Sequence, residues 1–290
     1  MAEEKKRITI PEMLAAKNTG RKLTMVTAYD YSTAVLVSKS VVDMILVGDS
    51  AAMVMLGHSG TVPITLDTLI TMATAVVRGA GHNTFIVGDM PFLSYEISRD
   101  KAIENCGRYL KEAGCDAVKL EGGRRVATTV AAIVQAGIPV MGHIGLTPQT
   151  AAQLGGFKVQ GKDRGAARAI IDDALALEDA GVFSIVLEAV PAPLAKIITE
   201  RVKVPTIGIG AGPHCDGQVL VFHDMVGLFQ RFLPKFVKQY ANLAPQIIDA
   251  LNRYAGEVAD GVFPAKEHTF TMKEEEVNAL IEELKREGVI

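Results

Sequence analysis

Two apolar runs in this 290-residue chain end alike, in Val47-Gly48-Asp49-Ser50 and in Val87-Gly88-Asp89-Met90. A third, Ala117-Val118-Lys119-Leu120-Glu121-Gly122-Gly123, also ends in a carboxylate. Acids at the ends of successive strands offer only oxygen, which suits a hard cation such as Mg²⁺ that takes few carboxylates and keeps waters or substrate oxygens. Any one of Asp49, Asp89 and Glu121 could instead cap a helix or pair with a Lys or Arg; the repetition favours the metal. Lys119 and Glu121 stand two apart and so share one strand face. Neither face of a barrel strand welcomes an unpaired charge, so both belong inside near the rim, with Lys119 donating to a substrate oxygen. Glu188 closes the apolar run Ile185-Val186-Leu187 and suits a general base, the alternative being a partner for a nearby Lys or His. His143, in Met141-Gly142-His143-Ile144-Gly145, ends another run, either as a core histidine or as part of the site. A cation beside a lysine and a carboxylate base fits enolisation of a 2-oxo acid, whose enolate then attacks a one-carbon or aldehyde electrophile.

These residues need elements that deliver them to one edge. Strand-like runs occupy 24–30, 44–50, 85–92, 117–122, 139–145, 183–190 and 205–210, and an eighth is expected around 224–228. Between them lie helix-period segments such as 66–79, 99–113 and 166–180, the last two closed by Gly114 and Gly181. The recurring order of helix, Ala-Gly, short link and strand is the rhythm of βα units. Eight such units with a polar residue closing nearly every run predict an α/β fold, a (β/α)₈ TIM barrel rather than an open doubly wound sheet. The link from the seventh strand to the eighth is too short for a full helix. Thr9-Ile10-Pro11-Glu12 reads as a capping box that starts an N-terminal helix, positioned to plug the barrel floor. Thr271-Met272-Lys273-Glu274 repeats the pattern before an extra C-terminal helix striped by Val277, Leu280, Ile281 and Leu284. The expected organisation is one barrel domain over 1–270 and an appended helix over 271–290 that docks on the body or on a neighbouring subunit.

Composition narrows the function. A net charge of −3 with scattered basic residues gives no footprint for nucleic acid. The three cysteines, Cys106, Cys115 and Cys215, form no C-x-x-C pair, as in a reduced, cytoplasmic protein. The start lacks the apolar segment of a secretory signal, and no apolar stretch reaches membrane-spanning length. Gly208-Ile209-Gly210-Ala211-Gly212 lacks the last glycine spacing of a dinucleotide fingerprint, so it marks close backbone approach or packing. His58, after the second strand, sits on a loop that either folds over the mouth or is simply solvated.

Several segments taken in order are more specific than any of them alone. Thr27-Ala28-Tyr29-Asp30-Tyr31, Leu46-Val47-Gly48-Asp49-Ser50, Gly57-His58, Lys119-Leu120-Glu121-Gly122-Gly123, the run from Gly142 to Gln149, Lys158-Val159-Gln160-Gly161, the 208–212 run and Glu267-His268 closely resemble the 3-methyl-2-oxobutanoate (ketopantoate) hydroxymethyltransferase family. The resemblance implies a barrel of the phosphoenolpyruvate/pyruvate type. It implies transfer of a hydroxymethyl group from 5,10-methylenetetrahydrofolate to 3-methyl-2-oxobutanoate, giving 2-dehydropantoate in pantothenate and coenzyme A biosynthesis. Mg²⁺ is the implied ion, with Asp49, Asp89 and Glu121 at the family's metal positions and Glu121 reaching the ion directly or through water. Asp49, Ser50, Asp89 and Lys119 match the oxo-acid contacts, with His143 placed beside them, and Glu188 matches the proton acceptor. A homodecamer is the family's typical assembly. The sequence departs from the family pattern at Ala51-Ala52, at Ser59-Gly60, at Phe229-Gln230-Arg231-Phe232 and in the tail after Phe270. A lyase or mutase of the same barrel type is a rival, but the Lys-Lys-Cys-Gly-His motif of the isocitrate-lyase relatives is absent. A non-catalytic barrel that binds Mg²⁺ only for stability is the other.

Overall fold

The computed structural model describes residues 5–290; the extreme N-terminus, on which the reading of the secretory signal rests, lies outside them. Eight parallel strands close into a barrel in sequence order, the first pairing with the second and with the last. They are β1 (Leu23–Thr27), β2 (Met44–Val47), β3 (Phe85–Asp89), β4 (Ala117–Glu121), β5 (Val140–Gly145), β6 (Ser184–Glu188), β7 (Thr206–Ile209) and β8 (Gly217–Leu220). Helices α1 (Ile10–Thr19), α2 (Tyr31–Ser38), α3 (Ala51–Val54), α4 (Leu66–Ala80), α5 (Arg99–Arg108), α6 (Ala127–Gln135), α7 (Arg164–Asp179), α8 (Ala192–Arg201), α9 (Phe222–Met225), α10 (Leu243–Ala259) and α11 (Glu274–Arg286) complete the order. Polar side chains in the loops that follow the strands start the helices. Asp30, Thr65, Ser98 and Asp163 each accept a hydrogen bond from the backbone N–H three residues on, satisfying a donor that the helix leaves open.

Each strand alternates between two apolar layers. Residues facing out, such as Ile45, Val47, Ile86, Val118 and Val140, pack under the helices. Residues facing in, among them Met25, Met44, Leu46, Phe85, Val87, Ala117, Met141, Phe183, Val186, Ile207 and Val219, fill the lower barrel. Met13 and Ala16 of α1 join that inner set, so the N-terminal helix does close the floor. Its start is the capping box that the sequence indicates, Thr9 and Glu12 bonding each other's backbone N–H. The inner layers are apolar below and charged above, which leaves chemistry to the carboxyl edge.

Two expectations change. The eighth strand is Gly217–Leu220, and 224–228 is not strand: Asp224 lies on α9 and Gly227 has φ 69. The true strand is a short run containing Gly and Gln, a weak pattern beside the apolar Met225-Val226 that follows. The second change is at α11, where Lys273 is the N-cap and no side chain caps the helix. Its start rests instead on Glu274, Glu275 and Glu276, whose charges suit a helix N-terminus. By compactness the chain divides into a unit that runs to Ala241 and one from Asn242 to Ile290. In the second unit α10 and α11 contain no buried residue.

Candidate active site

Period two along the strands continues the inner layer upward. On β3 it runs Phe85, Val87, Asp89; on β4 Ala117, Lys119, Glu121; on β5 Met141, His143; on β6 Val186, Glu188. Strand register then sets neighbours. Asp89 lies opposite Lys119, and Glu121 opposite His143. A cavity of about 420 Å³ opens above these layers, lined by Asp49, Ser50, Asp89, Lys119, Glu121, His143 and Glu188 among others. The structure thus brings all seven residues selected from sequence to one place.

Nζ of Lys119 is 2.9 Å from Oδ1 of Asp89, and both side chains are buried. Oδ2 of Asp89 accepts the backbone N–H of Asp49 at 3.0 Å. Burial pushes the Asp89 carboxyl up to about 6 against the opposing charge of Lys119. Burial also lifts Asp49 to about 6, helped by the charge of Glu121. Burial alone would lower the Lys119 ammonium, but Asp89, Glu121 and Asp49 outweigh it and hold the proton on. Lys119 is therefore a donor at neutral pH.

His143 connects the two halves of the cavity. Its Nδ1 is 3.2 Å from Nζ of Lys119 and 3.5 Å from Oε1 of Glu121, while Nε2 is 3.1 Å from Oε2 of Glu188. Burial and the Lys119 charge pull its pKa down, but bonds to Glu121 and Glu188 carry it up to about 9. An ammonium has no lone pair to offer Nδ1, so the proton the ring keeps in either state is on Nε2, facing Glu188. The Nε2 contact is close but off the ideal hydrogen-bond angle. Glu188 is also the acid with solvent access, its side chain 16% exposed against 1% for Asp89 and Glu121.

Gln149, which the sequence marks only as part of a motif, is a hub of the site. Its Nε2 donates to Oδ2 of Asp49 and to the Met90 carbonyl, each at 2.9 Å. Its backbone N–H donates to Oε2 of Glu121 at 3.1 Å, and its Oε1 accepts from the Tyr95 hydroxyl at 3.0 Å. The order Thr147-Pro148-Gln149 after β5 was visible, but which acids it would meet depends on closure of the barrel. Tyr29, likewise marked in sequence only by its motif, bonds Oγ of Ser50 through its hydroxyl at 2.8 Å.

Asp49, Asp89 and Glu121 share the cavity without converging on one point, and among the described residues no three His, Cys, Asp or Glu groups form a ready metal cluster. The donor set still fits Mg²⁺. It is oxygen only, and Oδ1 of Asp89 and Oε1 of Glu121 are buried without an aligned hydrogen-bond partner. The buried carboxylates have Lys119 and His143 beside them as compensating cations.

A closed parallel barrel with acids and a lysine on its carboxyl rim defines a (β/α)₈ enzyme-type fold. Solved barrels share it: a phosphonopyruvate hydrolase complexed with oxalate and Mg²⁺ aligns with TM-score 0.59 at 14% identity, covering 96% of this chain and 99% of that one. A 2,3-dimethylmalate lyase of the PEP mutase/isocitrate lyase superfamily aligns with TM-score 0.58 at 15% identity, covering 96% and 97%. At such identity these show the fold alone. Sequence goes further. The ketopantoate hydroxymethyltransferase family model matches residues 7–266, and the chain belongs to that family. A 3-methyl-2-oxobutanoate hydroxymethyltransferase from Heliobacterium modesticaldum is 61% identical over 93% of this chain and 98% of its own. One from Moorella thermoacetica is 58% identical over 92% and 99%.

Proposed function

We propose that this protein transfers a hydroxymethyl group from 5,10-methylenetetrahydrofolate to 3-methyl-2-oxobutanoate, forming 2-dehydropantoate. Glu188 carries the reading: a carboxylate with solvent access, oriented by the Nε2–H of His143, in one cavity with the Lys119 ammonium. The oxo acid is anchored at Asp49, Ser50, Asp89 and Lys119, with His143 beside it. Lys119 donates to a substrate oxygen, and the Ser50 hydroxyl, held by Tyr29, contributes a second hydrogen bond. Glu188 removes the proton on carbon three, and the C–H electron pair becomes the enolate. That carbon then bonds to the methylene carbon as the latter's two C–N bonds to the folate break, water supplies the hydroxyl, and the proton held by Glu188 and one from water go to the two nitrogens of the departing tetrahydrofolate.

Asp49 and Asp89, with Glu121 directly or through water, would hold Mg²⁺. When bound, that ion polarises the carboxylate and keto oxygens and offsets the enolate charge. His143 and Gln149 are positioning residues, the first for Glu188 and the second for Asp49 and Glu121. A cytoplasmic homo-oligomer, a decamer as the family resemblance implies, completes the reading. No described helix is long and apolar enough to cross a membrane.

The test uses the half-reaction. In D₂O with Mg²⁺ and no folate, the protein exchanges the carbon-three proton of 3-methyl-2-oxobutanoate, and Glu188→Gln slows this by about 10²–10⁴-fold. Full exchange in the variant removes Glu188 as the base. Absence of ketopantoate from wild-type protein given both substrates and Mg²⁺ removes the reading as a whole.

A further inference from the structure

One acid of the cavity takes no part in that chemistry. Asp224, on α9, lines the same cavity and is 7% exposed. Among the described residues no hydrogen bond or ion pair reaches its carboxylate; only its backbone carbonyl is engaged, by Gln239 and Gly227. Burial alone pushes it up to about 6, with no cation to offset the cost. A largely buried carboxylate with no protein partner keeps only the hydrogen bonds that cavity water gives it, and a ligand that brings donors supplies the missing ones.

A second feature lies along the same wall. Phe229, Phe232 and Phe236 all line the cavity. The first two meet edge to face with centroids 5.4 Å apart. Phe236 sits on Gly210, where φ is +64 and a Cβ would stand 2.8 Å from the ring. Arg231 donates to the His58 carbonyl at 3.2 Å, tying this segment to the loop after β2. Yet Phe232 is 52% exposed and Phe236 40%, so apolar rings are fixed in place with open faces at the mouth. At about 420 Å³ the cavity holds far more than a small branched oxo acid.

We propose that Asp224 seats the pterin of the one-carbon donor, its carboxylate accepting from the ring N3–H and the 2-amino group, while Phe229, Phe232 and Phe236 cover the flat pyrimidinone and the reduced ring fused to it. The amino-pyrimidinone edge presents two parallel N–H donors, the pattern a carboxylate accepts in bidentate fashion. The flat pyrimidinone gains offset stacking against a phenylalanine, and the reduced ring gains apolar burial. This assignment rests on the folate-dependent reading above.

Asp224→Asn keeps the shape but turns an amide donor toward a donor edge. Its KM for 5,10-methylenetetrahydrofolate rises by about tenfold or more, while KM for the oxo acid moves by less than about twofold. Calorimetry supplies a readout without turnover. Wild-type protein binds 2-desamino-2-methyltetrahydrofolate about tenfold more weakly than tetrahydrofolate, and Asp224→Asn binds the two alike. Phe232→Ala weakens tetrahydrofolate binding without removing the preference for the 2-amino group. An unchanged folate KM overturns the seat, as does equal binding of the two folates by wild type. So does an equal rise in both KM values, which marks a structural role. If wild-type protein forms no ketopantoate the functional reading fails, and the calorimetry still decides whether Asp224 recognises a pterin.

Discussion

Gln149 fixes one acid through its side chain and another through its backbone, and it is uncharged. Replacing it with Leu removes the donor to Asp49 and leaves the Tyr95 hydroxyl without its side-chain acceptor. The expected loss is about 10–100-fold in kcat/KM for the oxo acid, as for other residues that orient ligating groups. Urea unfolding should show a cost of about 1–3 kcal/mol for the unsatisfied carboxylate. Steady-state kinetics separates this from a general collapse: the oxo-acid side is affected most. Asp224 permits a pH prediction that involves no ligand. Its folded-state pKa of about 6 lies above the unfolded value of 3.8, so the folded protein binds the extra proton between them. Stability from this group therefore falls as pH rises through that window and stays lower above it. Asp224→Asn should stabilise the apoprotein at pH 7.5 by about 1 kcal/mol, after allowance for screening by water at the mouth. That advantage should fade as pH drops from 6 toward 4, and melting temperatures across this range check it. A variant equally stable or less stable at pH 7.5 would contradict the picture of an unpaired buried carboxylate.

At the scale of elements, the Val-Gly-Asp ending of β3 gains a physical reason. Gly88 faces outward, where a Cβ would lie 2.3 Å from Cδ1 of Tyr109. Tyr109 opens a π-helical turn, Tyr109–Ala113, and its hydroxyl donates to the carbonyl of Asp89. Helix, strand and acid are thus locked by one missing methyl group. Gly88→Ala should cost about 1–3 kcal/mol through overpacking. Because the displaced backbone carries Asp89, activity should fall with stability; thermal melts and the exchange assay measure both. Strands β2 to β6 and their acids were legible because apolar runs with charged ends leave few other options. The neighbour relations were not: Asp89 beside Lys119 and Glu121 beside His143 follow from register, which no single strand encodes. β8 escaped notice because its inward residues are Gly217 and Val219 with Gln218 between them, a strand held in place by pairing with β1 and β7 more than by its own pattern. With β8 misplaced, Asp224 read as the start of a strand, although it is an acid lining the cavity.

At the scale of the whole molecule, the first unit separates stability from chemistry along the barrel axis. Met13 of α1 is fully buried among the floor residues, in the layers below the charged rim. Met13→Ala should cost about 2–5 kcal/mol and lower the melting temperature. At a temperature where the variant stays folded, both KM values should hold near wild type. The second unit poses the opposite situation. Along α10, Ile247, Leu251, Tyr254 and Val258 recur at helical spacing and are 46%, 60%, 57% and 47% exposed, with Ile248 beside them at 57%. A stripe of that kind on a water-facing helix is unfavourable, and its removal from water is worth about 25 cal/mol per Å² buried. The expected homo-oligomer supplies such burial. Light scattering on the wild-type chain should therefore report an assembly larger than a monomer. Ile248→Lys combined with Leu251→Lys should dissociate it or reduce its size, because each charge would have to be desolvated in the interface. A monomeric wild-type protein, or a double variant with unchanged mass, would show that this stripe does not hold subunits together.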